Sequence, residues 1–462
     1  MKKYRILIAI ISVLAAVSGV EARTITFSGN TLPVFDTVPP ATTGLNHIYI
    51  LSDVSGVAMH YEADDPMETV EWTQYGELGG AYEEPVTGIV TEGPGRTMLP
   101  QVKANTGYII KEGDYPTYVW VADYSMATLN VRSLTFGEMG DCGTATIDVN
   151  GTGSDIVYYT INGIRRVFDR GLKMTYHTRR WDEENSEWTD TLIVEDVEIF
   201  KHTIVVPAPL CDTEFTLTGD NLLAYWNQPL LSVPSPLYET IAVDVRATAV
   251  QDERYNDNEQ KNPEGSNTLG GSAPVHIVFT GYPTDAVVYR EWQMSTDYEF
   301  NNLELRLNQD VVEQDFDEAG VYYWRYIVGN ADGTCEASSD VYTVDIGISD
   351  LQCPNVFTPG TSEGVNDVWK VSYKSITEFH CAIFSRYGVK VAEFDDPGQG
   401  WDGRYGGKLV KAGVYFYVIE ARGADGRQYK LSGDINIIRY KKRVFDDPVD
   451  PDPTNPVDPV EE

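Results

Sequence analysis

The sequence predicts an all-β chain of tandem sandwiches, and three observations predict it. Its 462 residues include 40 Gly, 24 Pro and 29 Tyr, a mix that favours turns and strands over long helices. Short runs dense in β-formers, such as His47 to Leu51 and Tyr118 to Val121, are punctuated by Gly79-Gly80 and Glu112-Gly113-Asp114. Ile156 to Ile161 and Ile164 to Phe168 flank Asn162-Gly163, the pattern of a hairpin closed by a type I′ turn.

The N-terminus reads as an export address. Lys2, Lys3 and Arg5 precede an apolar run from Ile6 to Val17, and Val20-Glu21-Ala22 suits cleavage after Ala22. About 12 apolar residues are too few to span ~30 Å of hydrocarbon at ~1.5 Å per residue, so this is a signal peptide and not an anchor. Removing residues 1–22 takes the net charge from −35 to −37. With 70 acidic against 35 basic side chains the chain is no nucleic-acid binder, and anionic membrane surfaces are disfavoured. No membrane-spanning segment is expected in the mature chain.

Residues 23–141 read as a sandwich-like domain with Trp72 and Tyr108 as core anchors. Residues 142–271 read as a second β-rich domain ending in an acidic linker, 251–271. Residues 272–349 carry Asp317-Glu318-Ala319-Gly320-Val321-Tyr322, the pattern of a tyrosine corner. This stretch resembles immunoglobulin-like and polycystic-kidney-disease-type (PKD) modules, although Trp324 stands where an antibody domain has its second cysteine.

Residues 350–442 hold six ordered motifs. They are Pro354-Asn355-Val356-Phe357-Thr358-Pro359, Gly364-Val365-Asn366-Asp367, Ile383-Phe384-Ser385-Arg386-Tyr387-Gly388, Gly400-Trp401-Asp402-Gly403, Lys411-Ala412-Gly413-Val414-Tyr415-Phe416-Tyr417-Val418, and Tyr429 to Ile435 with Gly433-Asp434. Together they resemble the gliding-motility-associated C-terminal domain of Bacteroidota, the type B sorting domain of the type IX secretion system. The resemblance implies a small antiparallel sandwich and a two-step route, first to the periplasm and then across the outer membrane to the cell surface or medium. It implies as partners the translocon barrel and a PorP/SprF-type outer-membrane protein. The modest length resembles a PorA-like accessory protein more than a large repeat adhesin. Within this domain Val414 to Ala421 is nearly continuous in apolar residues and is expected to be buried on both faces. Residues 443–462 alternate Pro with acids and read as a disordered tail.

Five cysteines fit an oxidising compartment. The expected disulfides are Cys142 with Cys211 and Cys335 with Cys353, leaving Cys381 as a buried free thiol. Chemistry is harder to find. The six histidines are scattered singly, and no metal-ligand spacing, nucleophile elbow or phosphate-binding loop occurs, so neither catalytic residue, cofactor nor metal is expected. Paired acids such as Asp64-Asp65 and Glu183-Glu184 read as solvated loops. Trp181 and Trp188 suit either sugar stacking or a hairpin core. Asp36-Thr37-Val38 and Asp190-Thr191-Leu192 resemble an O-glycosylation sequon and offer sites for attached glycan. The sequence therefore points to a non-enzymatic interaction or accessory protein at the outer membrane or translocon. The alternatives are a surface adhesin or glycan-binding protein, and a hydrolase with an unrecognised site.

Overall fold

The computed structural model describes residues 23–137, 141–260, 269–361 and 364–438. The expected cleavage point after Ala22 and the tail 443–462 lie outside the described residues. The chain forms two compact units, Met1–Ala242 and Val243–Glu462. Both are almost entirely β, with one five-residue helix, Asn221–Tyr225, among the described residues.

In the first unit a four-stranded sheet packs against a six-stranded one. Met59 and Tyr61 meet Trp72, Tyr108, Val119 and Val121 in a shared core. Trp72 and Tyr108 are 5% and 0% exposed, as core anchors require. The six-stranded sheet is mixed. Tyr115–Asp123 runs parallel to His47–Leu51 and antiparallel to Thr106–Glu112. Its other face, with Ile48, Ile50, Tyr75 and Trp120, packs against Ile156, Tyr158, Leu222 and Trp226. Burial on both faces explains why these strands read as unbroken apolar runs and not as alternating ones.

Beyond this sheet, Asn130–Phe136, Thr144–Thr152 and Thr203–Pro207 form a three-stranded sheet. It shares a core with the four-stranded sheet of Leu172–Asp182, Glu187–Val197, Thr213–Gly219 and Leu231–Tyr238. Asn130–Phe136 pairs with Thr144–Thr152, so this sandwich begins before residue 142, where the sequence suggested its start. The hairpin is also closed differently. Val157–Tyr159 pairs with Arg165–Val167, and the Gly163 N–H donates to Thr160 O at 2.9 Å. Gly163 takes φ +75° while Asn162 does not enter the positive region, so the closure is a type I turn followed by a left-handed glycine. Its tip docks on the first sandwich: Gly80 N–H donates to Ile161 O at 2.8 Å and Ile161 N–H to Thr43 O at 3.1 Å. A Cβ at Gly79 would lie 2.4 Å from the Gly163 nitrogen, so this approach needs glycine.

A buried ion pair ties the two sandwiches together. Arg170 and Asp220 are 3% and 0% exposed, and the guanidinium donates to the Asp220 carboxylate. Arg170 Nη1 also donates to Ala127 O at 2.6 Å and Ser154 O at 3.1 Å, while Tyr124 OH donates to Asp220 Oδ2 at 2.7 Å. Asp220 Oδ1 caps the short helix by accepting from Leu222 N–H. Removing one member leaves the other charge buried alone. Asp220→Ala is therefore expected to lower the stability of this unit by about 3–5 kcal/mol, read from urea unfolding.

Glu112 is the second buried charge of this unit, 3% exposed. It accepts from Arg23 Nε at 2.9 Å, Tyr61 OH at 3.1 Å and the Asp64 and Asp65 N–H groups at 3.2 and 2.8 Å. Burial alone would raise its pKa, but these four donors outweigh burial and hold it below the ordinary 4.5. A depressed carboxylate contributes stability above its unfolded pKa and loses it as pH falls through the folded value. Stability should thus decline below about pH 4.5, and Glu112→Gln should flatten that decline in acid-unfolding curves while lowering stability at neutral pH.

In the second unit a three-stranded sheet faces a six-stranded one around Trp292, Trp324 and Phe279, the last stacked on Trp324 at 4.5 Å. The tyrosine corner is present, with Tyr322 OH donating to Glu318 O at 3.1 Å. Val245–Gln251 pairs with Val275–Pro283, so it belongs to this sandwich and not to the one before it. The stretch expected as a solvated linker is built in where it is described. Gln260 N–H donates to Tyr373 O at 2.7 Å, and Tyr373 N–H donates to Asn258 O at 3.1 Å. Leu269–Gly271 pairs parallel with Tyr342–Ile346. Backbone groups beside an open strand satisfy one another, which a polar composition does not reveal.

The cysteine pairing differs from expectation. Cys142 and Cys335 are the disulfide-bonded residues, while Cys211, Cys353 and Cys381 are thiols. Cys142 sits in an exposed turn and Cys211 points inward at 5% exposure. Cys335 precedes the edge strand Glu336–Ser338, whereas Cys353 packs against the C-terminal core, so the short pair belongs to two different cores. Cys381 is a buried thiol, 0% exposed.

Candidate functional site

The C-terminal sheet runs, in spatial order, Val356–Phe357, Gln428–Ile437, Gly413–Gly423, Ile376–Ser385 and Lys390–Phe394. Its motif residues mostly build the fold. Phe357, Trp401 and Tyr415 are nearly buried and meet at ring distances of 5.5 and 5.2 Å. Trp401 and Trp369 exchange backbone hydrogen bonds at 2.8 and 2.9 Å, and Pro354 O accepts from Trp369 Nε1. Asn355 O accepts from the Asn436 N–H. Thr358 N–H donates to Asn366 O, and both Asp367 oxygens cap the loop by accepting from Gly360 and Gly364 N–H. Asp402 Oδ1 closes the next turn on Arg404 N–H, beside Gly403, which lies against Pro359. Gly388 N–H closes the turn to Ser385 O.

Tyr415 OH donates to Lys411 O at 3.0 Å, a second tyrosine corner. Gly413-Val414-Tyr415 here matches Gly320-Val321-Tyr322 of the preceding sandwich, an identity the sequence held but did not announce. Gly433 stands opposite Tyr417, and a Cβ there would lie 2.7 Å from the Tyr417 hydroxyl. Tyr417 in turn shares a hydrogen bond with the Cys353 thiol. Asp434 accepts from Asn436 Nδ2 at 2.6 Å, and Arg386 lies over the Tyr387 ring in the exposed turn.

The outer face of the central strand carries motif residues as well, Val414 and Phe416 among them. The expectation that Val414 to Ala421 is buried on both faces fails: Tyr415, Ile419 and Ala421 enter the core, whereas Val414, Phe416 and Val418 are 41%, 44% and 46% exposed. Across the ladder Phe416 faces Phe384 on one side and Asp434 on the other; Val418 faces Ala382 and Ser432. The run is apolar on both sides of the strand, but among the described residues only one side has a covering layer. The result is an apolar stripe on the central strand with a polar border, Glu420 opposite His380 and Lys430.

Two other regions bear on chemistry. In the second unit a groove of about 620 Å³ is lined by Asp252, Arg254, Glu259, His276 and Asp315. Its charged groups pair with one another: Arg254 donates to Glu259 and to Ser272 O, and His276 Nδ1 lies 2.8 Å from Asp315, which raises the imidazole pKa. Among the described residues no group of three or more His, Cys, Asp or Glu is placed to hold a metal ion. Each carboxylate whose pKa is displaced is displaced downward, towards the ionised form. In the first unit Trp181 and Trp188 form a cross-strand pair at the end of a hairpin, half-buried, with centroids 5.4 Å apart. The Asp190 carboxylate beside Thr191 is held by His177 Nδ1 at 2.7 Å, and Asp36 beside Thr37 by His47 Nδ1 at 2.7 Å.

Residues 351–437 match the CHU_C type IX secretion signal domain, and residues 135–235 match a fibronectin type III domain. No curated protein matches the chain. Among solved structures, a tetra-tandem repeat from the extending region of a large adhesion protein is 11% identical, covering 90% of this chain and 100% of that one, with a TM-score of 0.23. The FN1–FN3 domains of chicken CNTN1 are 9% identical over 67% of this chain and 97% of that one, TM-score 0.23. A Ca2+-stabilized adhesin of an Antarctic bacterium is 13% identical over 88% and 99%, TM-score 0.18.

The thiols of the C-terminal core give a test of its packing. Burial pushes Cys381 up to about 12 and raises Cys353 as well. At pH 8 Cys381 should resist iodoacetamide in the native protein and react fully in urea, as read by mass spectrometry; native labelling would show that this core is open.

Proposed function

We propose that this chain is a non-enzymatic binding protein exported by the type IX route and held at the cell surface or outer membrane as an accessory of the secretion machinery. The observation that carries the reading is the match of residues 351–437 to a type IX secretion signal domain whose motif residues complete a closed core. The immunoglobulin-like and fibronectin-like sandwiches before it are platforms for contact. The carboxylates described above are stabilised as ions, which suits solvated surfaces better than general-acid catalysis. The exposed Val414–Phe416–Val418 stripe is the surface through which the domain meets the translocon barrel or a PorP/SprF-type protein. Passage through the periplasm follows from the signal-peptide pattern at residues 1–22.

Deleting residues 350–462 should leave the protein inside the cell envelope, whereas unchanged surface exposure in protease-shaving fractionation would overturn the export reading. Phe416→Lys addresses the stripe separately, placing a cation opposite Asp434. It should leave the melting temperature of the purified protein nearly unchanged, since the site is 44% exposed. It should also cut surface delivery and crosslinking to a translocon component about tenfold, the equivalent of about 1.4 kcal/mol of contact. Full delivery of this variant would remove the stripe from the reading while leaving the domain's role standing.

A further inference from the structure

An edge strand exposes a row of backbone N–H and C=O groups that can pair with another chain, and folds blunt such edges with proline, lysine, bulges or short length. The four-stranded sheet of the first unit has two edges, treated in opposite ways. Leu231–Tyr238 carries Pro234 and Pro236 and slips register against Thr213–Gly219. Glu187–Val197, the other edge, is 11 residues long and contains no proline, lysine or glycine. Its ladder with Leu172–Asp182 runs without a register shift from Glu187 opposite Asp182 to Val197 opposite Leu172. Among the described residues no strand pairs with its outer side. Side chains alternate along it: Ile193 packs against the core of this sandwich, while Leu192 and Val194 are 55% and 49% exposed.

We propose that Glu187–Val197 is a docking edge for an extended, cationic segment of another protein, which adds to the sheet as a further strand. The backbone sets the form of the occupant. A row of outward N–H and C=O groups is satisfied along its length only by another extended backbone. The side chains set its character. On the exposed face Leu192 and Val194 suit apolar, β-branched neighbours. The strand holds the carboxylates Glu187, Asp190, Glu195 and Asp196 and no Lys or Arg. Two of them are already answered from the neighbouring strand, Asp190 by His177 Nδ1 at 2.7 Å and Asp196 by Lys173 Nζ at 3.6 Å. Among the described residues Glu187 and Glu195 have no such partner, and alternation puts both on the side of Ile193. A segment with Lys or Arg at the matching spacing, and β-branched residues between them, answers both. A second copy of this chain is a poor occupant, since it would bring the same carboxylates and a net charge of −35 to the edge. The edge lies in the first unit, and the proposal does not rest on how the chain is exported.

A fluorescein-labelled peptide, Lys-Val-Thr-Ile-Thr-Val-Thr-Val-Lys with an amidated C-terminus, tests this on the mature chain, residues 23–462, by fluorescence anisotropy. Laid antiparallel on the edge, its two lysines fall opposite Glu195 and Glu187. It should bind saturably with a Kd below about 0.1 mM. Two further peptides carry N-methyl groups on the odd or on the even residues. One should bind as the parent does and the other about tenfold weaker or more, because a sheet edge pairs with only one side of an added strand. Replacing both lysines by glutamate should weaken binding about tenfold as well. The double variant Leu192→Lys, Val194→Lys guards the edge at two exposed positions, and it should lose the same factor without moving the melting temperature. Absence of saturable binding up to about 1 mM would overturn the proposal. So would equal binding by the two N-methylated peptides, or binding that the glutamate peptide or the double variant leaves unchanged. Self-association of the chain in sedimentation runs, abolished by the double variant, would make a second copy the occupant and overturn it too.

Discussion

Side chains alternate across a strand, so a sheet that fills a core with one face must bury, charge or expose the other. Two sheets of this chain answer that constraint in different ways. The six-stranded sheet of the first unit buries both faces: Val119 and Val121 enter one core, Ile48, Ile50 and Trp120 the next. The C-terminal sheet buries one face around Trp369 and Ile419 and leaves Val414, Phe416 and Val418 in solvent. The first arrangement makes two sandwiches into one unit. The second leaves an apolar stripe on the domain that matches a type IX secretion signal domain.

Burying both faces of one sheet has a consequence for charge. The chain that returns over the second face brings backbone carbonyls of Ala127 and Ser154 against the buried Arg170 guanidinium, which donates to both. A guanidinium there is tolerable only beside a counter-charge, which Asp220 provides from the start of the helix Asn221–Tyr225. Asp220 itself takes a left-handed backbone, φ +66°, costly for a non-glycine residue and sustained by three hydrogen-bonding partners. The network is thus less a gain in stability than a condition for the two sandwiches to share a core.

Much of this fold was legible in the residues. The strand class, the anchors Trp72 and Tyr108, the corner at Tyr322 and the C-terminal domain all follow from local patterns, because each is a short-range pairing of side chain with backbone or core. The failures share a cause. Whether Val414 to Val418 is covered, which cysteines pair, and whether residues 256–260 are solvent or strand depend on segments distant in sequence, and no local period encodes a distant partner. The acidic stretch after Gln251 reads as a linker from composition, yet Asn258 Nδ2 donates to Val371 O and Pro397 O, both at 2.7 Å. The C-terminal domain therefore borrows backbone from outside residues 351–437 to finish its small sheet.

The same reasoning separates motif from site. Residues that recur as a signature here, Trp401, Gly403, Tyr415 and Gly433, are those whose replacement breaks a turn or a close approach, as the 2.7 Å clearance over Gly433 shows. A partner cannot read a side chain it cannot touch. Outward positions of the strand lie within the motif too, where alternation turns Val414 and Phe416 to solvent. Phe416 is flanked by motif Tyr415 and core-facing Tyr417 and is itself 44% exposed. The signature thus combines residues that hold the domain together with outward positions on its central strand.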